Sequence, residues 1–195
     1  MSERLFRKII YQFIRFIVSH TKMDFYKSGH ETASINTANN NVILVDNVGM
    51  LTALKFVSEQ TRNDIISELN SGAKLYLVVD DEGLVAHFTC ITSERRKVGE
   101  ICSFINLPNN SLYIYHCFTE KPSRGRGCYS MVLNTIVSSN VKGSCFICCL
   151  SNNVASSSVI EKSGFKKILS VRFVRILGVK FYLSSNRKIF KQLIG

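Results

Sequence analysis

A basic turn at residues 124–129, Arg-Gly-Arg-Gly-Cys-Tyr, has the residue types best suited to binding chemistry in this chain. An apolar, aromatic run at residues 112–119 precedes the turn and predicts a buried strand, and residues 129–137 carry apolar side chains at helical spacing. In the order strand, turn, helix, the unpaired N–H groups of the helix N-terminus lie beside the guanidinium groups of Arg124 and Arg126. The two glycines let a ligand approach those amides closely. The turn therefore predicts a site for a phosphate or pyrophosphate group.

Two common nucleotide-binding motifs are missing from the sequence. It contains no G-x-x-x-x-G-K-[ST] motif, so it does not have a P-loop. It also has no G-x-G-x-x-G motif at the start of a βαβ unit, which disfavours a Rossmann domain.

A second segment, residues 153–165, follows another apolar strand at residues 144–150 and has the pattern of a short capped helix that ends at Gly164. Together the two segments resemble the GCN5-related N-acetyltransferase (GNAT) superfamily. Its pyrophosphate loop has the form [QR]-x-x-G-x-[GA], and its next helix has the form N-x-x-[AS]-x-x-x-[Y]-x-x-x-G-F. The matching residues here are Arg124 and Gly127 in the loop, and Asn153, Ser156, Gly164 and Phe165 in the helix.

The resemblance extends over residues 41–183 and implies an α/β fold, the GNAT fold, with a mixed central β-sheet and helices on both faces. The sequence agrees with a first strand at residues 42–45 and two short helices within residues 50–69. Thr61 and Asp64 would form the capping box of the second helix. Hairpins are predicted at residues 75–90, with an acidic glycine turn, and at residues 165–183.

The chain is expected to form one domain with two appendages. Residues 1–40 are predicted to be a basic amphipathic helix and a tether, residues 41–184 the acetyltransferase domain, and residues 185–195 a basic C-terminal tail. A chain of 195 residues, 46% of them hydrophobic, is long enough to bury a sizeable core.

The family resemblance also implies a ligand and a reaction. It implies that acetyl-CoA binds as co-substrate and that an amine attacks the thioester directly. The main-chain N–H of Thr119, or that of Phe118, would polarise the acetyl carbonyl. The residues implied to contact the coenzyme are Phe118, Thr119, Arg124, Gly125, Arg126, Gly127, Cys128, Tyr129, Asn153 and Ser156.

Two positions depart from the family pattern. Tyr129 stands where the loop motif has Gly or Ala, and Ile160 stands where many members carry a tyrosine that protonates the departing thiolate. Isoleucine has no proton to give. Either water or another residue protonates the thiolate, or catalysis is weak, or the chain only binds its ligand. Cys128 and Tyr129 are expected to lie too close to the phosphates to replace that tyrosine.

His116 is the candidate general base, because its strand faces the substrate in this family and an imidazole accepts protons near neutral pH. Its alternative role is that of a hydrogen-bonded core histidine. Glu100 and Glu120 are further candidates for the base, and His87 is predicted to be structural. Residues 93–110 are predicted to line the acceptor pocket.

Seven cysteines occur, mainly in predicted strands. Cys145 and Cys148 have the spacing of a metal-binding or redox pair, but residues three apart on a strand point to opposite faces. No second pair or nearby histidine completes a tetrahedral set of ligands, so no metal is expected. Free buried thiols are typical of a reducing cytoplasm.

Residues 4–18 place basic side chains at three- and four-residue steps beside an aromatic and aliphatic face. The segment is too charged to cross a bilayer and has no cleavage site of a signal peptide. It is predicted to be a helix that packs on the domain or on a second subunit, giving a homodimer. The alternative is peripheral contact with an anionic membrane from the cytoplasmic side.

The formal net charge of +11 favours anionic partners, but the sequence shows no nucleic-acid-binding module. The predicted function is acetyl-CoA-dependent N-acetylation of a primary amine, with an amino sugar or another small molecule of a bacterial surface pathway as acceptor. The alternatives are N-acetylation of a protein or peptide, and a non-catalytic CoA-binding protein of GNAT fold.

Overall fold

The computed structural model describes residues 18–28 and 41–195. The strands are β1 (Val18–Ser28), β2 (Val42–Val45), β3 (Lys55–Phe56), β4 (Lys74–Val79), β5 (Leu84–Thr92), β6 (Arg96–Val98), β7 (Ser103–Ile105), β8 (Leu112–Thr119), β9 (Cys145–Leu150), β10 (Phe165–Ile176) and β11 (Val179–Ser184). The α-helices are α1 (Glu59–Asn70), α2 (Cys128–Ser139), α3 (Val154–Lys162) and α4 (Arg187–Leu193), with short 3-10 turns at Val48–Leu51, Gly99–Ile101 and Lys121–Ser123.

The central sheet is mixed, as predicted. Its strand order is β11-β10-β1-β9-β8-β5-β4-β2, with β3 beside β5. Among the described strands, β3 pairs with β5 and β8 with β9 in parallel, while the other pairs are antiparallel. Strands β6 and β7 form a separate two-stranded ribbon. The parallel β8–β9 pair requires a crossover, which α2 provides.

The sheet also contains a strand that lies before the predicted domain boundary at residue 41. Strand β1 lies between β9 and β10 and pairs with both. Its Met23 and Phe25 are 2% and 1% exposed, and its buried Asp24 accepts hydrogen bonds from Lys167 Nζ and Ser170 Oγ. The prediction that residues 1–40 are only a helix and a tether is therefore wrong for Val18–Ser28. The rest of the predicted helix and tether lies outside the described residues.

Helices cover both faces of the sheet. On one face α2 and α3 bury Val132, Leu133 and Ile160 against β4, β8 and β9. On the other face α1 buries Ile65 and Leu69 over β4 and β5, and α4 packs against β1 and β10 together with the β6–β7 ribbon. The predicted C-terminal tail is thus a helix whose Leu193 is part of the core.

The N-terminus of α1 differs from its prediction. Ser58 is the N-cap, and its side chain accepts a hydrogen bond from the N–H of Thr61. The hydroxyl of Thr61 instead donates to the buried carboxylate of Glu120, 59 residues away. Ser58 takes the cap because serine there has extended backbone and an oxygen within reach of the third amide.

No helix among residues 18–28 and 41–195 is long and apolar enough to cross a membrane.

Replacing Phe25 in β1 by alanine is expected to lower the free energy of unfolding by about 3–5 kcal/mol, because a large side chain between two paired strands leaves a cavity. Urea unfolding followed by circular dichroism measures the change. The matched control is Lys22→Ala, on an exposed position of the same strand, with an expected change below about 0.5 kcal/mol. Equal stabilities for the two variants would show that β1 is not part of the cooperative core.

Candidate functional site

Strands β8 and β9 pair over only three residues of each strand and then separate. The paired residues are Leu112–Ile114 of β8 and Cys145–Ile147 of β9. Both strands continue beyond this point, β8 to Thr119 and β9 to Leu150, without pairing to each other. The separation opens a gap in the middle of the sheet.

A β-bulge in β8 lies at the beginning of this gap. The register of β8 on β5 shifts between Phe88 and Cys90, where His116 and Cys117 oppose the single residue Thr89. His116 has a φ of 48°, which is rare for a residue with a side chain. A bulge bends its strand and re-aims the side chains on it. The bulge accounts for β8 leaving β9 and directs His116 to the sheet surface that α1 covers.

A first cleft of about 560 Å³ lies on the α2 and α3 side of the gap. Nine of the ten residues implied to bind coenzyme line it. They are Phe118, Thr119, Arg124, Gly125, Gly127, Cys128, Tyr129, Asn153 and Ser156. The tenth, Arg126, is exposed and is not among the residues that line the cleft.

The basic turn has the geometry of an anion site. Gly125 and Gly127 have φ of 80° and 77°, in the left-handed region that glycine adopts without strain. Gly127 is the N-cap of α2, and its carbonyl accepts the first helical hydrogen bond, from the N–H of Met131. The amides of residues 127–130 have no intrahelical acceptor and lie at the positive end of the helix dipole. The cleft therefore ends at a set of open N–H donors.

Two side chains of the turn have defined positions beside these amides. Cys128 is 6% exposed, and its Sγ lies 3.9 Å from the carbonyl oxygen of Ser123. Arg124 donates from Nε to the main-chain carbonyl of Thr119 at 3.2 Å, so its guanidinium is fixed at the edge of the cleft. Backbone amides, with one guanidinium beside them, are thus the groups that the turn offers to a ligand.

Asn153 caps α3. Its Oδ1 accepts a hydrogen bond from the N–H of Ser156 at 3.1 Å. Because the oxygen is used in this way, only the side-chain amide nitrogen is left to donate to a ligand. In its implied role as a coenzyme contact, Asn153 can therefore act only as a hydrogen-bond donor, through its side-chain nitrogen.

A second cleft of about 400 Å³ lies on the α1 side and is continuous with the first through the gap. Cys117, Tyr129, Asn153 and Ser156 line both clefts. The second cleft also has an ionic and aromatic lining, formed by Glu68, Lys97, Glu100, Tyr113, Tyr115 and His116. Lys97 and Glu100 lie in the segment predicted to line an acceptor pocket.

Tyr129 is the residue at the junction of the two clefts. Its ring stacks on the imidazole of His87, with centroids 5.5 Å apart, and its hydroxyl faces the thiol of Cys117. Burial, together with the nearby Cys117, raises the pKa of Tyr129, so the hydroxyl stays protonated and can donate. It lines the first cleft together with the residues of the turn, and it lines the second cleft as well.

His87 packs against Tyr129 at this junction and is structural, as predicted. It is 1% exposed, and its Nδ1 and Nε2 are each 2.7 Å from a hydroxyl, those of Thr119 and Thr89. Burial lowers the pKa of His87 to about 3, because the protonated imidazole would have to lose its hydration. His87 therefore stays neutral and holds Thr119 in place.

On the acceptor side, His116 contacts a carboxylate that the sequence did not indicate. Glu68 Oε1 lies 3.1 Å from His116 Nδ1. Glu68 Oε2 accepts hydrogen bonds from Arg96 Nη2 at 2.7 Å and from the Tyr115 hydroxyl at 3.0 Å. These residues are 28 to 48 positions from Glu68 in the sequence, so no local motif could have revealed the network.

The ligand atoms of Glu68, Cys90 and His116 lie within 4.8 Å of one another. A metal ion there would compete with Arg96 for the Glu68 carboxylate, which is already neutralised. Burial raises the pKa of the Cys90 thiol, which disfavours the thiolate that a metal requires. These contacts favour an ion-pair network at this position rather than a metal site.

The other two candidates for a general base, Glu120 and Glu100, lie in different environments. Glu120 is 6% exposed and is the acceptor for Thr61, so its role is structural. Glu100 is exposed on the rim of the second cleft.

Ile160 is fully buried in the core under α3 and cannot reach either cleft. Cys145 and Cys148 belong to the cores on opposite faces, as their spacing predicted.

Comparison with solved structures identifies the fold. A GNAT-family protein from Novosphingobium aromaticivorans aligns with a TM-score of 0.56 over 81% of this chain and 66% of that one, at 12% identity. A GNAT-family acetyltransferase from Colwellia psychrerythraea aligns with a TM-score of 0.52 over 90% of this chain and 62% of that one, at 16% identity. A tandem GNAT protein from the clavulanic acid biosynthesis pathway gives 0.52 over 83% and 55%, at 12% identity.

This chain has the GNAT fold. At identities of 12–16% the likeness establishes the fold and not the activity. The chain spans less than two thirds of the length of each of these three proteins. No protein-family model and no curated protein sequence matches it.

His87 predicts a specific dependence of stability on pH. The unfolded chain binds a proton at His87 below a pH of about 6.5, whereas the folded chain binds it only below about 3. The folded state is therefore favoured above pH 6.5, and this contribution is lost as the pH falls. Between pH 7 and pH 5 it should lower the free energy of unfolding by about 2 kcal/mol.

Urea unfolding of the wild type and His87→Gln at pH 7 and pH 5 measures this contribution. Glutamine can keep hydrogen bonds to the threonines but does not titrate, so the variant should lack the decrease. An identical decrease in both proteins would mean that His87 is not the group responsible.

Proposed function

We propose that this protein is an acetyl-CoA-dependent N-acetyltransferase that transfers the acetyl group directly to a primary amine of a small molecule. The observation that carries the proposal is the pair of clefts joined through the gap between β8 and β9. One cleft ends at the open amides of the α2 N-terminus, and the other contains an imidazole paired with a carboxylate.

The first cleft suits the donor. Three features support coenzyme binding: two left-handed glycines that expose the backbone, the helix dipole behind them, and the fixed guanidinium of Arg124. Anions bind at such helix N-termini because the amides need no reorganisation to receive them. The pyrophosphate would contact the amides of residues 127–130, and the pantetheine arm would extend past Asn153 to the gap.

The second cleft suits a small acceptor. Its volume of about 400 Å³ lies in the range typical of small-molecule pockets. Its charged residues have both signs, and its tyrosines offer hydroxyl groups, a lining that fits a polar amine such as an amino sugar better than an extended peptide.

The proposed reaction joins the two clefts at the bulge. His116 accepts the proton that the amine loses as its nitrogen attacks the thioester carbon. A main-chain N–H near Phe118 or Thr119 donates to the developing oxyanion, with Thr119 held by His87. The nitrogen–carbon bond forms, the carbon–sulfur bond breaks, and its electron pair remains on sulfur. Holding both reactants in one gap supplies a large share of the rate.

Tyr129 would stabilise the departing thiolate in place of the tyrosine that Ile160 replaces. It lines both clefts and is fixed by stacking on His87. Because burial raises the pKa of its hydroxyl, Tyr129 would donate a hydrogen bond to the sulfur and keep its own proton. The proton that His116 accepted remains available for the released thiolate.

Gly127→Glu should weaken acetyl-CoA binding by about 10²-fold or more, because its carboxylate repels the pyrophosphate and occupies the space in front of the amides. Isothermal titration calorimetry with acetyl-CoA measures the change, and micromolar binding is expected for the wild type. Gly178→Glu is the matched control, since Gly178 has a similar φ of 84° in the turn between β10 and β11, away from both clefts.

No binding by the wild type would contradict the proposal. Binding without turnover on any amine offered would instead favour the non-catalytic CoA-binding alternative, which the buried Ile160 motivates.

Tyr129→Phe should lower kcat by about 10²-fold and leave the KM for acetyl-CoA nearly unchanged, because it removes a hydrogen bond made to the leaving group during the reaction. Steady-state kinetics with thiol detection provides the measurement. Tyr26→Phe removes another buried tyrosine hydroxyl from the same core, on a residue that lines neither cleft, and should have little effect on kcat. An unchanged kcat in Tyr129→Phe would exclude its proposed role.

A further inference from the structure

We propose that Glu68 is the positioning residue of His116. It holds the imidazole in the tautomer that carries its proton on Nδ1 and leaves Nε2 free to accept a proton in the acceptor cleft. The proposal rests on the function proposed above, in which His116 is the base, but its geometry and its main test do not depend on turnover.

Glu68 lies in the last turn of α1 and reaches the sheet at the bulge. Its side chain is 14% exposed, whereas that of His116 is 39% exposed. The carboxylate is therefore the more buried of the two groups, and both side chains line the second cleft. A contact of 3.1 Å between Oε1 and Nδ1 is within hydrogen-bond distance.

The chemistry of the two groups determines the position of the proton. An ionised carboxylate can only accept hydrogen bonds, and a neutral imidazole has one donor nitrogen and one acceptor nitrogen. The nitrogen that contacts Glu68 must therefore be the donor. Nε2 is then the acceptor, which is the form that a general base requires.

Glu68 is itself held in place through its second oxygen. Arg96 and the hydroxyl of Tyr115 both donate to Oε2, and the guanidinium of Arg96 lies over the Tyr115 ring at 4.2 Å from its centroid. Two donors on one oxygen prevent the carboxylate from rotating. The other oxygen is thereby kept on Nδ1 of His116.

His116 is restrained from the opposite direction as well. Its backbone is fixed by the bulge, and its ring makes an edge contact with Phe88 at a centroid distance of 5.0 Å. Glu68 and the bulge thus together fix the position of the imidazole.

The test is a long-range ¹H–¹⁵N NMR spectrum of the histidine rings at pH 8, where a free imidazole is neutral. The His116 signals are assigned by their loss in His116→Gln. The wild type should show a protonated Nδ1 and an unprotonated Nε2. Glu68→Gln should reverse this tautomer, because Arg96 and the Tyr115 hydroxyl keep the single amide oxygen and the amide nitrogen then donates to Nδ1. Glu68→Ala should shift the ring towards a protonated Nε2.

Kinetics provide a second readout. Glu68→Ala should lower kcat by about 10²-fold, the loss expected when a general base has the wrong tautomer, with an unchanged KM for acetyl-CoA. Glu68→Gln should lower kcat to a similar extent, because its amide nitrogen would face Nδ1 and favour the wrong tautomer. Glu59→Ala, which removes an exposed carboxylate from the same helix, is the matched control and should match the wild type in both measurements.

Either of two results would overturn the proposal: a protonated Nε2 on His116 in the wild type, or an unchanged tautomer in Glu68→Ala. If Glu68→Ala does not fold, the wild-type spectrum still decides. A wild type with the expected tautomer but no acetyl transfer would reject the proposed function while leaving the role of Glu68 in positioning His116 intact.

Discussion

The separation of β8 from β9 is the constraint on which the rest of the site depends. In a continuous sheet, backbone hydrogen bonds would fill the space between these strands and no path would connect its two faces. The bulge at His116 inserts one extra residue into β8 relative to β5, and β8 leaves β9 after Ile114. The two clefts meet in the resulting gap, where Tyr129 lines both clefts and His116 lines the second.

A gap within a core exposes polar groups that need partners, and the structure meets this requirement with a set of buried hydrogen bonds. His87 joins Thr89 of its own strand to Thr119 of β8, and Tyr129 stacks on it while facing Cys117. Burial keeps these groups neutral, because an ionised side chain there would lose its hydration. The hydrogen bonds that satisfy the buried polar groups at the gap therefore also fix the residues that line it.

Much of the local structure could be predicted from the sequence. The hairpin at Leu84, the turn at Gly127 and the cap at Asn153 depend on neighbouring residues, so a short segment of sequence is enough to predict each of them. Strand β1 was missed because it is separated from the domain motifs by residues 29–40 and pairs with segments more than 100 residues away. Glu68 was missed for a related reason, since its partners come from two distant strands, β6 and β8.

The sequence by itself determined the order of elements, the fold class and the basic glycine turn, because periodicity, caps and glycine positions act within a few residues of one another. Only the tertiary structure decided which side chains share the gap. It placed Tyr129 at the junction of the clefts, buried Ile160, and joined Glu68 to His116. Such contacts depend on strand register and on one bulge, and a shift of one residue in register would turn every side chain to the opposite face.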